Sequence, residues 1–443
     1  MGRRKNHVIR GVTWLCCMVI LGLAWMARNL WLATGGAVGL CYVLWRIARA
    51  SRGSAEEATS ANATKRRMVP RCCPSATVPL PQRPAISRQP VDPGDTDALV
   101  GRMLAQERFA LLLRPKVAAN LSGAHLRRAQ EALEQNMALV PDGEVVLGRI
   151  DEALQDGKLN EEEIAAAQGR LIQVERLFLD RFPVTNQQFY EFVADGGYEQ
   201  MALWDESIWP AVLDLVDSTG MPGPRYWQDG CFRPAEKDHP VVGVSWYEAS
   251  AYARWVGKRL PTDAEWVKAG SWPVPLSSTT RLQRRYPWGD TMDRNRANLW
   301  NPRRARSVPV NQYAEGVSVG GVYQLIGNVW EWTSGNFRPG DHLTGRLELP
   351  TPMKSIRGGA FDTYFDNQAT CQFQSGENPL GRRHNIGFRC AVGVCDLVLT
   401  RQPPSVEEPA DGEPGEDDPG DDDARAGEAA APQPVSMAEE VRA

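Results

Sequence analysis

Hydrophobic and polar positions divide the chain into stretches of clearly different pattern. Residues 11–45 are almost continuously apolar, from Gly11 to Ala27 and, after Arg28-Asn29, from Leu30 to Trp45. A bilayer core asks for about 20 apolar residues per helix. A longer run interrupted by a polar pair predicts a membrane anchor over residues 1–50, built as two short transmembrane helices that turn at Arg28-Asn29. One tilted span with an interfacial segment is the alternative. The stretch is too long for the apolar region of a cleaved signal peptide. Residues 51–95 are rich in Ser, Ala, Pro and Arg without apolar periodicity, which predicts a disordered linker. Apolar residues then return at helical spacing, first Leu99, Met103 and Leu104, later Leu126, Ala129 and Leu133. Pro115 lies between the two groups, so a helical hairpin is expected over 96–136.

From Met137 to Thr400 short periodic segments alternate with Gly- and Pro-rich turns. Three helix starts follow one rule: Thr185 with Gln188, Ser245 with Glu248, and Thr262 with Glu265, each leading into apolar positions. In such a capping box the hydroxyl accepts a backbone N–H while the Glu or Gln reaches back to the cap. Asn160 and Glu163 repeat the pattern within a predicted helical insertion over residues 151–170. Further on, Gly321-Val322-Tyr323, Gly327–Trp332, Ile356–Phe361 and Ile386–Val392 read as short strands. The sum is an α+β domain over 137–400 with high loop content.

Charge refines this picture at the ends. Arg3, Arg4 and Lys5 precede the apolar run and Arg46, Arg49 and Arg52 follow it. For a hairpin, the positive-inside rule places both ends, and the domain, in the cytoplasm; a single span would leave the orientation open. The net charge of −4 is the sum of this basic head and an acidic tail over 401–443, with Glu407, Glu408, Asp417, Asp418 and Asp421-Asp422-Asp423. That tail cannot bury a core and is expected to be disordered. No basic stripe interleaved with aromatics occurs, so nucleic acid is not an expected partner.

The ordered motifs of the domain carry a resemblance. Pro183-Val184-Thr185-Asn186, His239–Trp246, Arg259–Trp266, Tyr286-Pro287-Trp288-Gly289, Gly327–Trp332, Arg357-Gly358-Gly359 and Gly387-Phe388-Arg389-Cys390 together resemble the formylglycine-generating-enzyme, or sulfatase-modifying-factor, family. The resemblance implies a C-type-lectin-like fold. It also locates the chemistry. Family members that make formylglycine hold copper(I) with two cysteines just after this Gly-Gly motif, because soft thiolates select that ion. Those positions are Thr363 and Gln368 here, and Ala360 stands in place of the usual serine. Formylglycine synthesis is therefore not expected.

The remaining candidates are weaker. No catalytic residue is assigned, Cys371 and His384 being the separate candidates, and Cys390 is a candidate disulfide partner for Cys231 or Cys371. The five histidines, at 7, 125, 239, 342 and 384, do not cluster, which argues against an iron site made by this chain. The family's calcium site falls on Gln324, Gly327, Val329 and Glu331, a hard-oxygen set suited to Ca²⁺. The alternative for Glu331 is a buried carboxylate paired with an arginine. A contact surface for a protein or peptide ligand is expected at Trp330, Phe361, Tyr364, Asp366, Arg382, Arg383, His384 and Asn385. These readings favour a membrane-anchored, non-catalytic recognition module over a metal-dependent oxidoreductase of altered chemistry.

Overall fold

The structure, a computed structural model, describes residues 91–400 except 93, 149–156, 168, 304 and 338–351. The chain divides at Cys73 and Pro74 into two units, of which the described residues belong to the second. The expected anchor over 1–50, most of the linker and the acidic tail lie outside the described residues. Among the described residues no helix is long and apolar enough to cross a membrane.

The first described elements are helices α1 (Thr96–Ala105), α2 (Phe109–Leu112), α3 (Pro115–Ala118) and α4 (Gly123–Asn136). The expected hairpin of two helices is four pieces. Glu107 takes a positive φ of 58° between α1 and α2, and Pro115 begins α3, where a missing N–H costs nothing. These helices are not a separate body. Val100, Phe109, Leu112, Leu113 and Leu133 share one core with Met137, Phe178 and Val392. Those last three lie on strands β1 (Met137–Val140), β5 (Leu177–Asp180) and β12 (Ala391–Gly393). β5 is the centre of this antiparallel sheet, paired with β1 through Leu139↔Phe178 and with β12 through Val392↔Phe178.

The capping boxes are built as written. Both reciprocal hydrogen bonds form at Asn160 and Glu163, which open α5 (Glu161–Ala166), and at Thr185 and Gln188 before α6 (Asn186–Ala194). Ser245 and Glu248 do the same before α8 (Trp246–Trp255), as do Thr262 and Glu265 before α9 (Asp263–Ser271). A short helix, α7 (Trp209–Val212), lies between α6 and α8. The predicted insertion holds β3 (Lys158–Asn160) as well as α5. β3 pairs with β7 (Thr280–Leu282), which also pairs with β6 (Val274–Pro275). β2 (Gly143–Leu147) pairs with β4 (Arg170–Val174).

The sheet that positions the site has the order β10 (Gln374–Glu377), β9 (Met353–Arg357), β8 (Trp330–Phe337), β11 (Ile386–Phe388). β11 runs parallel to β8, with Gly387 opposite Glu331, and the other pairs are antiparallel. Two strand readings fail here. Gly321–Tyr323 is irregular, and β8 begins only at Trp330, because Gln324, Gly327 and Asn328 all adopt positive φ and bend the chain out of extension. Behind the sheet, Phe189 stacks on Tyr252 at 5.5 Å, while Phe388 meets both rings edge-on. Helices α6 and α8 are thereby fastened to β11 through aromatic area, which stabilises well beyond what aliphatic residues of these numbers supply.

Candidate functional site

The chain after β9 turns sharply at Gly358 and Gly359, with φ of 96° and 76°. A Cβ on Gly358 would stand 2.3 Å from the Leu325 carbonyl oxygen, so only glycine permits this approach. The turn is closed by Thr363. Its hydroxyl accepts the Ala360 N–H at 2.8 Å, and its own N–H donates to the Ala360 carbonyl at 2.9 Å. At one of the two positions where copper-binding relatives would carry cysteine, this chain thus has a buried hydroxyl committed to holding the turn. The other, Gln368, ends a short 3-10 turn that starts at Asp366.

The turn pushes the following residues outward. Tyr364 and Phe365 are more than half exposed, Trp300 is 41% exposed, and the three rings form a row. Tyr364 meets Trp300 edge-on at 4.9 Å and Phe365 edge-on at 5.1 Å. Arg294 braces the row, donating to the Tyr364 carbonyl at 2.7 Å and pairing with Asp366. Beside it lies a polar group. Asp362 accepts two hydrogen bonds from the Asn385 amide, at 3.1 and 3.0 Å, and stands 3.6 Å from His384 Nε2. The His384 ring meets Phe361 edge-on at 5.8 Å. Trp330 joins the group through its backbone, which donates to the Asn385 carbonyl at 2.9 Å.

Of the expected contact residues, Trp330, Phe361, His384 and Asn385 are brought together, and Tyr364 with Asp366 lies next to them. Arg382 is different. Its side chain is 9% exposed and is spent on the interior: it donates to the carbonyls of Gly243, Val216 and Gly223 and pairs with Glu248 at 2.9 Å. It holds the loop before β11 in place. Arg383 points the other way, exposed, with Nε 2.8 Å from Glu377. Reading the sequence alone misses Arg294, Trp300 and Phe365, and also Arg225 and Tyr226 of the pocket described below. Phe365 adjoins a named residue and was recoverable, whereas Trp300 reaches Tyr364 from 64 residues away in the chain, a pairing no local pattern carries.

Cys371 and His384 do not form a pair. Cys371 is fully buried, with its sulfur and Leu325 both packed against Gly270, while His384 is mostly exposed. The disulfide expectation is also corrected. Cys231, Cys371, Cys390 and Cys395 are all thiols. Cys390 instead lies in a buried group with Lys258 and Asp180, and burial, reinforced by the Asp180 carboxylate, pushes its thiol well above the usual range. Lys258 donates to Asp180 at 2.7 Å, and its ammonium lies over the Phe109 ring. One charged pair therefore ties the helices to the sheet.

The calcium set meets a physical obstacle. Glu331 is fully buried and accepts two hydrogen bonds from Arg389, at 2.8 and 2.6 Å, and a third from the Trp266 indole at 2.8 Å. The Gln324 carbonyl oxygen accepts from the Asn328 amide at 2.7 Å. The side-chain oxygens of Gln324 and Glu331 thus already accept from protein donors, and the guanidinium supplies the positive charge that Ca²⁺ would bring. The residues as arranged do not fit that ion. Among the described residues no cluster of three or more His, Cys, Asp or Glu side chains is placed to hold a metal.

A pocket of about 500 Å³ opens next to His384, lined by Arg225, Tyr226, Glu377, Asn378, Leu380, Gly381, Arg382, Arg383 and His384. With the aromatic row, the Asp362 group and this pocket, one face carries exposed rings, an imidazole and guanidinium groups. That combination suits adaptable, non-covalent contact.

Over residues 123–394 the chain matches the family described as sulfatase-modifying factor enzyme 1-like domain. It is 34% identical over 292 residues to a hercynine oxygenase of Mycolicibacterium smegmatis, covering 62% of this chain and 65% of that protein. The chain therefore spans a little less than two thirds of that relative's length. It is 29% identical over 290 residues to the inactive C-alpha-formylglycine-generating enzyme 2 of Bos taurus, covering 58% of this chain and 88% of that one. Among solved structures it is similar to the crystal structure of CarF, with 18% identity and a TM-score of 0.39, covering 58% of this chain and 98% of that one.

Proposed function

Because the chain belongs to the sulfatase-modifying factor enzyme 1-like family, we propose that its domain is a non-catalytic recognition module that binds a protein or peptide ligand. The observation that carries this reading is the turn at Gly358-Gly359. Where thiolate chemistry would need two soft ligands, Thr363 holds the backbone, and the same turn presents Trp300, Tyr364 and Phe365 to solvent. The similarity to a relative named inactive supports this reading. The apolar run Gly11–Trp45 belongs to the same proposal as a membrane anchor, with the domain on the cytoplasmic side.

A second reading, a metal-dependent oxidoreductase, is favoured by the 34% identity to a hercynine oxygenase. Elemental mass analysis of the purified full chain separates the two. Stoichiometric iron or copper would refute the recognition reading. Its absence, together with retention of peptides from a display library by the native chain but not by a Trp300→Ala, Tyr364→Ala, Phe365→Ala variant, supports it.

A further inference from the structure

The pocket beside His384 has a charge arrangement that the aromatic row does not explain. Three guanidinium groups and an imidazole line it, against the single carboxylate of Glu377. Arg382 is consumed by its interior bonds. Arg383 gives Nε to Glu377, and its exposed side chain makes no hydrogen bond through its two terminal nitrogens among the described residues. Arg225 is exposed and forms no ion pair among the described residues. Tyr226 lines it too, its hydroxyl donating to the Arg382 carbonyl at 3.3 Å. Two open guanidinium forks at one concave site are suited to carboxylates, which they grip in bidentate geometry.

The chain contains a segment of matching chemistry. Between Glu407 and Asp423 lie Glu407, Glu408, Asp411, Glu413, Glu416, Asp417, Asp418, Asp421, Asp422 and Asp423, with no Lys or Arg. This segment also starts close enough. Val398 donates its N–H to the Leu113 carbonyl just past α2, and the last described residue, Thr400, donates to Gln130 of α4. The C-terminal end of α8 meets α2 there, since a Cβ on Gly257 would touch Leu111. The N-terminal end of α8 holds the pocket, through Glu248 and Arg382. A helix of 10 residues is about 15 Å long. Twenty-odd residues beyond Thr400 reach up to roughly 70 Å when extended, at about 3.3 Å per residue.

We propose that the Arg225 and Arg383 pocket is a carboxylate-binding site for an acidic extended segment, and that residues 407–423 of this chain are its occupant. The inference rests on the recognition reading of the same face and gives that face a regulator: the segment competes with any acidic ligand for the two arginines. Tethering makes the competition strong, because a linked segment acts at an effective concentration near millimolar.

The test uses full-length protein throughout. A dye-labelled peptide of residues 407–423 is titrated, with fluorescence anisotropy as the readout, into the native chain and into a variant in which all ten acidic residues between Glu407 and Asp423 are changed to the corresponding amides. The variant should bind the peptide at least tenfold more tightly than the native chain. Adding Arg225→Glu and Arg383→Glu to that variant should abolish the gain. Both arginines are exposed, so near-ultraviolet circular dichroism should stay native. Equal peptide affinity in the native and tail-neutralised chains would overturn the proposal, as would a gain that survives reversal of both arginines. Either failure leaves the recognition reading to its own test, since Trp300, Tyr364 and Phe365 are intact in every variant here.

Discussion

Glu331 and Arg389 offer the sharpest test of how this fold is held together. Both side chains are buried, and every N–H of the guanidinium has a partner: Glu331 twice, and the carbonyls of Asp180, Arg181 and Tyr323. Replacing Glu331 by Gln keeps the shape but leaves the Arg389 cation without a counter-charge. Removing one partner of a buried pair costs about 3–5 kcal/mol. For a folded region of this size, where about 1 kcal/mol moves the midpoint by roughly 2 °C, Glu331→Gln should lower Tm by about 6–10 °C. Arg389→Met alone should cost a similar amount. The double variant should recover much of the loss, because the uncompensated charge is gone and the space is filled, giving a coupling energy of at least about 2 kcal/mol. Tryptophan fluorescence during thermal unfolding is the assay, since the chain holds fifteen tryptophans, several of them buried, and Trp266, which donates to Glu331, is one of them. A Glu331→Gln variant within about 1 kcal/mol of native, or a strictly additive cycle, would refute the reasoning.

Other consequences follow from the same geometry. Calcium chelation should leave the unfolding midpoint unchanged, and a clear fall on adding chelator, restored by Ca²⁺, would return Gln324, Gly327, Val329 and Glu331 to the status of ligands. Gly358→Ala should destabilise by at least about 2 kcal/mol in denaturant titration, from positive φ and the clash with the Leu325 carbonyl. For Glu265, burial works to raise the carboxyl, but two hydrogen bonds from Arg259 and the cap N–H of Thr262 outweigh it, so it lies below the usual range. A depressed folded value stabilises above the ordinary carboxylate range and is lost as pH falls through the folded value. Glu265→Gln should therefore weaken the protein at neutral pH and flatten its loss of stability in acid, as measured by midpoints between pH 7 and pH 3. Trp300→Ala should leave stability within about 0.5 kcal/mol, as expected for an exposed side chain, while reducing ligand retention.

Local rules wrote much of this protein in its sequence. A capping box needs only residues three apart, so Asn160, Thr185, Ser245 and Thr262 announced helices that form as written. The family motifs named the fold, and the substitution of Thr363 and Gln368 for cysteines was legible without coordinates, because it concerns atom type at fixed positions. Long-range pairing was not legible. Whether Glu331 faced an ion or a guanidinium depended on Arg389, 58 residues away, arriving by parallel pairing of β11 with β8. Arg382 and Arg383 look alike in sequence, yet one turns into the core towards Glu248 and the other to solvent, as the path of the backbone before β11 dictates. Strands that seemed continuous were broken by the positive φ of Gln324 and Asn328, for which side-chain type gives little warning. Periodicity, caps and motif identity are properties of neighbours along the chain. The contact face, the buried charge pairs and the thiol state of the cysteines depend on which distant segments meet, and only the folded chain decides that.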